Sequence, residues 1–190
     1  DMLGFTLQYE MSYTNILNML DMSGITIRSS ERGEDEPIIM AGGPCAYNPE
    51  PLYDIVDFFE IGEGEEMMND VLEVYARHKA NGKVNKKEFL REISKIGGIY
   101  VPSLYDVTYN EDGTIKEFKP KYEDVPAKVK KRIVNDFDSV AFPDEMIVPY
   151  TEIVHDRVVL ETARGCTNGC RFCQAGMIYR PVREKTTNTL

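Results

Sequence analysis

The sequence predicts an α/β fold, a parallel sheet with helices packed on it, and three observations carry that expectation. Short apolar runs alternate with longer segments whose apolar residues recur at helical spacing. Two of the short runs break at glycines, as strands do where they hand over to a loop. The order of the two kinds of segment, one after the other across the first eighty-two residues, is the pattern of strand–helix units sharing one sheet.

Each element follows from its own residues. Residues 2–9, MLGFTLQY, are apolar and aromatic, the composition of a buried strand. Residues 12–24 place Ile16, Leu17, Met19 and Leu20 at helical spacing, with Ser12 or Thr14 to cap the start and Gly24 to stop the end. Residues 36–44 form a second apolar run that breaks at Gly42-Gly43-Pro44, and residues 55–65 a third that ends in Gly62 and Gly64. Residues 65–82 form an amphipathic helix, acidic at its start and basic at its end, which suits the helix dipole. Residues 86–96 are a short helix. Residues 98–122 alternate apolar and polar side chains around Asn110-Glu111-Asp112-Gly113, the pattern of a β-hairpin insertion. From Val125, prolines at 126, 143 and 149 mark an extended connector, with a boundary near 140–150. Residues 157–162 are a last strand. The expected division is 1–82, 83–149 and 150–190.

The loops at the carboxyl ends of parallel strands form the ligand crevice of such sheets. Gly42-Gly43-Pro44-Cys45 and Gly62-Glu63-Gly64-Glu65-Glu66 both sit there. Neither is a phosphate loop, since the second lacks the lysine and its glutamates repel phosphate. Both are expected to be tight turns.

Composition narrows the function classes. The 190 residues carry 22 basic and 32 acidic side chains, a net charge of −10, which argues against broad contact with nucleic acid or anionic membrane. No run approaches the roughly 18–20 apolar residues of a membrane span, and the first residues lack a secretion signal. A cytoplasmic setting is therefore expected. The charge is uneven: after Ala163, Arg164, Arg171, Arg180, Arg183 and Lys185 face a single acid, Glu184. That stretch suits an anionic ligand or is a solvated basic loop.

Three of the four cysteines lie in RGCTNGCRFCQAG, residues 164–176. Cysteines in a large, cysteine-poor, cytosolic chain are metal ligands or redox groups rather than disulfide staples. Cys166, Cys170 and Cys173 have the spacing C-x3-C-x2-C, with Gly165 and Gly169 freeing the backbone to turn. Three thiolates on one short loop can hold an iron–sulfur cubane and leave one iron without a protein ligand. Structural zinc needs a fourth ligand, and His78 and His155 are at no knuckle spacing. Three buried thiols without metal are the remaining reading. Cys45 is expected to be a small buried residue.

The stretch CTNGCRFC resembles the C-x3-C-aromatic-x-C signature of the radical S-adenosylmethionine (SAM) superfamily. That resemblance implies a 4Fe–4S cluster held by Cys166, Cys170 and Cys173, with SAM chelating the free iron and Phe172 near the adenine. It implies reductive cleavage of SAM to a 5′-deoxyadenosyl radical acting on a substrate. The electron would come from a reductant such as a flavodoxin or ferredoxin. LGFTLQYEMSYTNIL, IIMAGGP and DFFEIGEGEE are similar to the second half of the Rossmann-like domain before the core of cobalamin-dependent members. The group it resembles has an N-terminal cobalamin-binding-like domain. The cobalamin motif Asp-x-His-x-x-Gly is missing here, so cobalamin stays an open cofactor. The resemblance also implies that residues 150–190 open a (β/α) barrel whose later strands hold SAM, and that this chain is an inactive piece of a longer enzyme. The alternative from another class is a non-catalytic iron–sulfur or zinc module for electron transfer or interaction. A third is a small-molecule sensor, with the strand-end loops holding the ligand.

Overall fold

The computed structural model describes residues 1–190 other than 81, 143, 144, 146, 155, 156 and 158. The described chain folds as two compact units, Asp1–Ile133 and Val134–Leu190.

In the first unit the apolar runs become β1 (Met2–Thr6), β2 (Ile38–Gly42) and β3 (Phe58–Glu60), with α1 (Tyr13–Met22) between β1 and β2. The three strands pair in parallel, Leu3 opposite Ile39 and Met40 opposite Phe58. β2 and β3 lie inside the sheet, and Ile38–Ala41 and Phe58–Phe59 are apolar because both faces are covered. β1 is the outer strand of the order β1-β2-β3-β4 and is only half-buried, which corrects the expectation of a buried strand over 2–9. It also stops at Thr6. Leu7 turns into the core, its N–H donating to Gly42 O at 2.7 Å, while Tyr9 is exposed.

The helix α1 buries Ile16 and Leu20, while Met19 points outward. Ser12 does not cap it with its side chain, because the hydroxyl donates backward to Tyr9 O at 2.7 Å. The end is a Schellman turn: Gly24, at φ +67°, donates to Asp21 O, and Ile25 donates to Leu20 O. On the far side of β3 comes α2 (Gly64–Ala80), which buries Met67, Val71 and Val74, then α3 (Lys86–Ile93), which buries Phe89, Leu90 and Ile93. Asn85 caps α3 by accepting from the N–H groups of Lys87 and Glu88. His78 is not a solvated residue of a polar face. Its Nε2 lies 2.7 Å from Glu92 Oε2 and its ring meets the edge of Phe89.

Residues 98–122 split, which corrects the single hairpin. β4 (Ile99–Tyr100) pairs antiparallel with β3 and completes the main sheet. The hairpin is β5 (Tyr105–Tyr109) and β6 (Ile115–Pro120), closed by Gly113 at φ +82°. The two apolar residues Ile99 and Tyr100 gain more by covering Phe59 than by extending an exposed ribbon: Tyr100 stacks on Phe59 at 6.1 Å. Tyr105 stacks on Phe118 at 4.9 Å within the hairpin.

A buried ion cluster ties the amino end of this sheet. Asp57, just before β3, accepts from Arg32 Nη1 at 2.6 Å and from Ile39 N at 2.7 Å, while Lys86 Nζ lies 2.8 Å from its other oxygen. Arg32 also donates to the carbonyls of Thr26, Ile27 and Ile55. The guanidinium and carboxylate are thus removed from water only with their hydrogen-bonding capacity filled.

The second unit holds β7 (Ala163–Arg164), α4 (Ala175–Ile178) and β8 (Arg183–Glu184). β7 and β8 pair antiparallel, Ala163 opposite Glu184 and Arg164 opposite Arg183. The expected strand 157–162 is not observed among its described residues; Val158 lies outside them, as do His155 and the connector's Pro143. Extended backbone forms a strand only where a neighbour takes its N–H and C=O groups, and here that neighbour, β8, reaches no farther than residue 163 as a ladder. Among the described residues no helix is long and apolar enough to cross a membrane.

Candidate functional site

At the carboxyl end of β3, Gly62 adopts φ +118°, and a Cβ there would collide with the backbone of Arg132. Arg132 N donates to Ile61 O at 2.9 Å and Arg132 O accepts from Glu63 N at 3.0 Å. The chain's own backbone therefore occupies the space beside these glycines, and the loop is a tight turn rather than a phosphate cradle. That closure leaves the strand-end crevice of the sensor reading filled at β3. Cys45 follows the corresponding turn after β2 and is buried, its thiol pushed up by burial and by Glu10 nearby.

Glu60, the last residue of β3, is a group that sequence reasoning passed over. It is 6% exposed, and among the described residues its Oε1 has no hydrogen-bond partner. Burial pushes its carboxyl up to about 7. The signal was present in DFFEIG, an acid inside an otherwise apolar run. His78, the only histidine between residues 1 and 133, is engaged by Glu92.

The cysteine loop is built in the second unit. β7 ends at Arg164, and Gly165 turns the chain at φ +96°. A Cβ on Gly165 would come within 2.6 Å of Pro181 O and 2.8 Å of Tyr179 O, so only glycine lets the start of the loop lie against its exit. Cys173 N donates to Cys170 O at 3.1 Å, a turn that leads into α4. Arg180 Nη2 donates to Asn168 O at 3.4 Å across the loop. Cys166 and Cys173 are half-buried and Cys170 is exposed, and none is in a disulfide. Phe172 is 91% exposed.

The donor chemistry suits an iron–sulfur centre: three free, reachable thiols on one glycine-hinged loop. Their geometry is not gathered. Among the described residues no three His, Cys, Asp or Glu side chains converge as a metal site. Metal-binding loops commonly order on binding, so accessible donors on a short tether are the relevant observation.

Comparison with known proteins bears on the other unit. Residues 1–102 match the family described as radical SAM proteins, N-terminal. Over 191 aligned positions the chain is 28% identical to an uncharacterized protein of Methanocaldococcus jannaschii, covering 100% of this chain and 33% of that protein. The chain thus spans a third of the length of the curated relative it matches. The family match ends well before Cys166, so the sheet unit and the cysteine spacing point the same way independently. By the match over its first 102 residues, the chain belongs to the family of radical SAM proteins.

Proposed function

We propose that Cys166, Cys170 and Cys173 hold a 4Fe–4S cluster in a radical SAM enzyme, with Phe172 covering the adenine of SAM. The observation that carries this reading is three free thiols at C-x3-C-x2-C spacing in a chain whose first 102 residues match the N-terminal family. When bound, the cluster supplies the electron that cleaves SAM to methionine and a 5′-deoxyadenosyl radical, taken from a reductant of the flavodoxin or ferredoxin class.

This chain's residues supply the setting. Gly165 brings the loop's two ends together, the turn from Cys170 to Cys173 leads into α4, and none of the three thiols is fully buried. Phe172 offers an aromatic face for stacking.

The test is anaerobic reconstitution of the full-length protein with iron and sulfide. Expected are the visible absorbance of a 4Fe–4S centre, an EPR signal on reduction, and 5′-deoxyadenosine when SAM is added. Replacing all three cysteines by alanine should abolish all three signals, and their survival in that variant would overturn the assignment. Zinc retained at one per chain, with no iron uptake, would favour a closed structural module instead.

A further inference from the structure

Three segments distant in sequence close a cavity of about 250 Å³ at the amino end of the main sheet, opposite the strand-end loops. The loop before β2 contributes Ser29 and Ser30, the first turn of α3 contributes Lys86 and Lys87, and the helical turn Pro102–Leu104 contributes Ser103. Val56 and Leu90 give it an apolar wall, and the buried Arg32–Asp57 pair also lines it.

The walls are fixed in place. Arg32 donates to the carbonyls of Thr26, Ile27 and Ile55, and Ser29 N donates to Asp54 O at 2.8 Å, so the loop before β2 is tied down. Asn85 caps α3 and so sets its first turn. Lys86 Nζ is held 2.8 Å from Asp57 Oδ1 and 3.5 Å from Ser29 O, which leaves one of its three N–H donors unused. Among the described residues the Lys87 ammonium and the hydroxyls of Ser29, Ser30 and Ser103 have no partner. The carboxylates nearby are taken. Asp57 is engaged by Arg32, Ile39 N and Lys86, and Glu34 lies 3.7 Å from Lys83 Nζ. Glu36 accepts from Thr26 N and Gly33 N.

The unused groups are point donors that reach in from three directions, beside the positive end of the α3 dipole. Such a set fits a tetrahedral oxyanion. A planar carboxylate is matched instead by an arginine fork, and the Arg32 fork is already engaged by Asp57 and the carbonyls. A second cavity, of about 300 Å³, shares Lys87, Leu90 and Ser103 with the first and adds Leu104 and Tyr122. It gives an organic body somewhere to lie.

We propose that these cavities form a binding site for a phosphate monoester with a compact apolar body. The phosphate sits among Lys86, Lys87 and the three serines, and the body runs past Leu90 toward Leu104 and Tyr122. The inference is independent of the cysteine loop, since every residue in it lies within Asp1–Ile133.

The experiment titrates the full-length protein, without added iron, with phenyl phosphate by isothermal calorimetry, and in parallel with inorganic phosphate and with benzoate. Phenyl phosphate should bind at one per chain and slow amide exchange over 29–32 and 86–90. Inorganic phosphate lacks the body and benzoate lacks the tetrahedral head, so both should bind more weakly. Lys87→Met removes an exposed side chain that holds nothing else in place, and should weaken phenyl phosphate about 10-fold, the worth of one charge-assisted hydrogen bond. Lys119→Met removes a surface charge from the hairpin and should bind as wild type does. Should Lys87→Met fail to fold, Ser103→Ala decides, with an expected loss of about 5-fold. Absence of phenyl phosphate binding overturns the site, as does benzoate or inorganic phosphate binding as tightly. Equal weakening in Lys87→Met and Lys119→Met also overturns it, because the attraction would then be one of general surface charge. Undiminished affinity in both Lys87→Met and Ser103→Ala does the same.

Discussion

Glu60→Gln should stabilise the sheet unit much more at pH 8 than at pH 5. In the folded protein the Glu60 carboxyl is pushed up to about 7, against 4.5 for a free one, because it is buried with Oε1 unpartnered. The folded state therefore binds a proton across that window that the unfolded chain has released. Stability contributed by the neutral acid is fully present below about pH 4.5, is lost as pH rises, and stays lost above about 7. At about 1.36 kcal/mol for each pH unit, the gap between 4.5 and about 7 corresponds to a loss of about 3 kcal/mol. Glutamine cannot ionise and so escapes the loss. The depressed carboxyls of Glu36, Glu92 and Asp124 titrate below this window and cancel between variant and wild type. Urea unfolding of the full chain, followed by peptide-resolved hydrogen exchange over β2 and β3, reads this unit by itself. A difference between variant and wild type that is the same at pH 5 and pH 8 would refute the reasoning.

Asp57→Asn should cost about 3–5 kcal/mol in the same assay, because it strands the buried Arg32 guanidinium and Lys86 ammonium without their carboxylate. A loss below about 1 kcal/mol would mean that the carbonyls around Arg32 suffice. Gly62→Ala should destabilise by at least about 1–3 kcal/mol, from the φ of +118° and the collision with Arg132, and a neutral result would place the backbone strain elsewhere. Asn85→Ala should cost about 1 kcal/mol through loss of the α3 cap, measured as the urea midpoint. Loading the protein with iron and sulfide should slow exchange of the amides in 163–186 and leave β2 and β3 unchanged; unaltered exchange in 163–186 would separate iron binding from loop ordering.

The sheet was legible where burial forces composition. Ile38–Gly42 and Phe58–Phe59 have to be apolar because both faces are covered, and α2 and α3 show their buried stripes at 3.6-residue spacing. Pairing partners were not legible, because they are set by contacts distant in sequence. That is why the outer position of β1 and the transfer of Ile99–Tyr100 to the main sheet appear only in three dimensions. Ser12 satisfies the local rule for a cap and still does not cap, since Tyr9 O lies within reach of its hydroxyl. In the candidate site the cysteine spacing is a local signal and was read directly. The packing of Arg164, Arg183 and Lys185 against the Phe137 ring is not, because the ring stands 27 residues before Arg164 and 48 before Lys185 and follows no repeat. The basic bias of the last residues was the visible half of that arrangement.

The two units owe their order to different forces. The core cluster, from Leu7 to Val125, lies wholly within residues 1–133 and is held by apolar burial. Among the described residues of 134–190, only Val134, Phe137 and Ile178 are buried apolar side chains. A segment of that size with so small a core gains little from the hydrophobic effect, and such segments depend on metals or other staples. What it has instead is polar: bidentate Arg164–Glu161, Thr186 N donating to Asp138, and cations on a ring. Those contacts surround the ends of the loop, while between Cys166 and Cys173 the chain is supported by the turn from Cys170 to Cys173 and the bond from Arg180 to Asn168, and the three thiols are in no disulfide. A cluster binding there would add its coordination energy where the protein has supplied least, which is the condition under which metal binding and folding become one equilibrium.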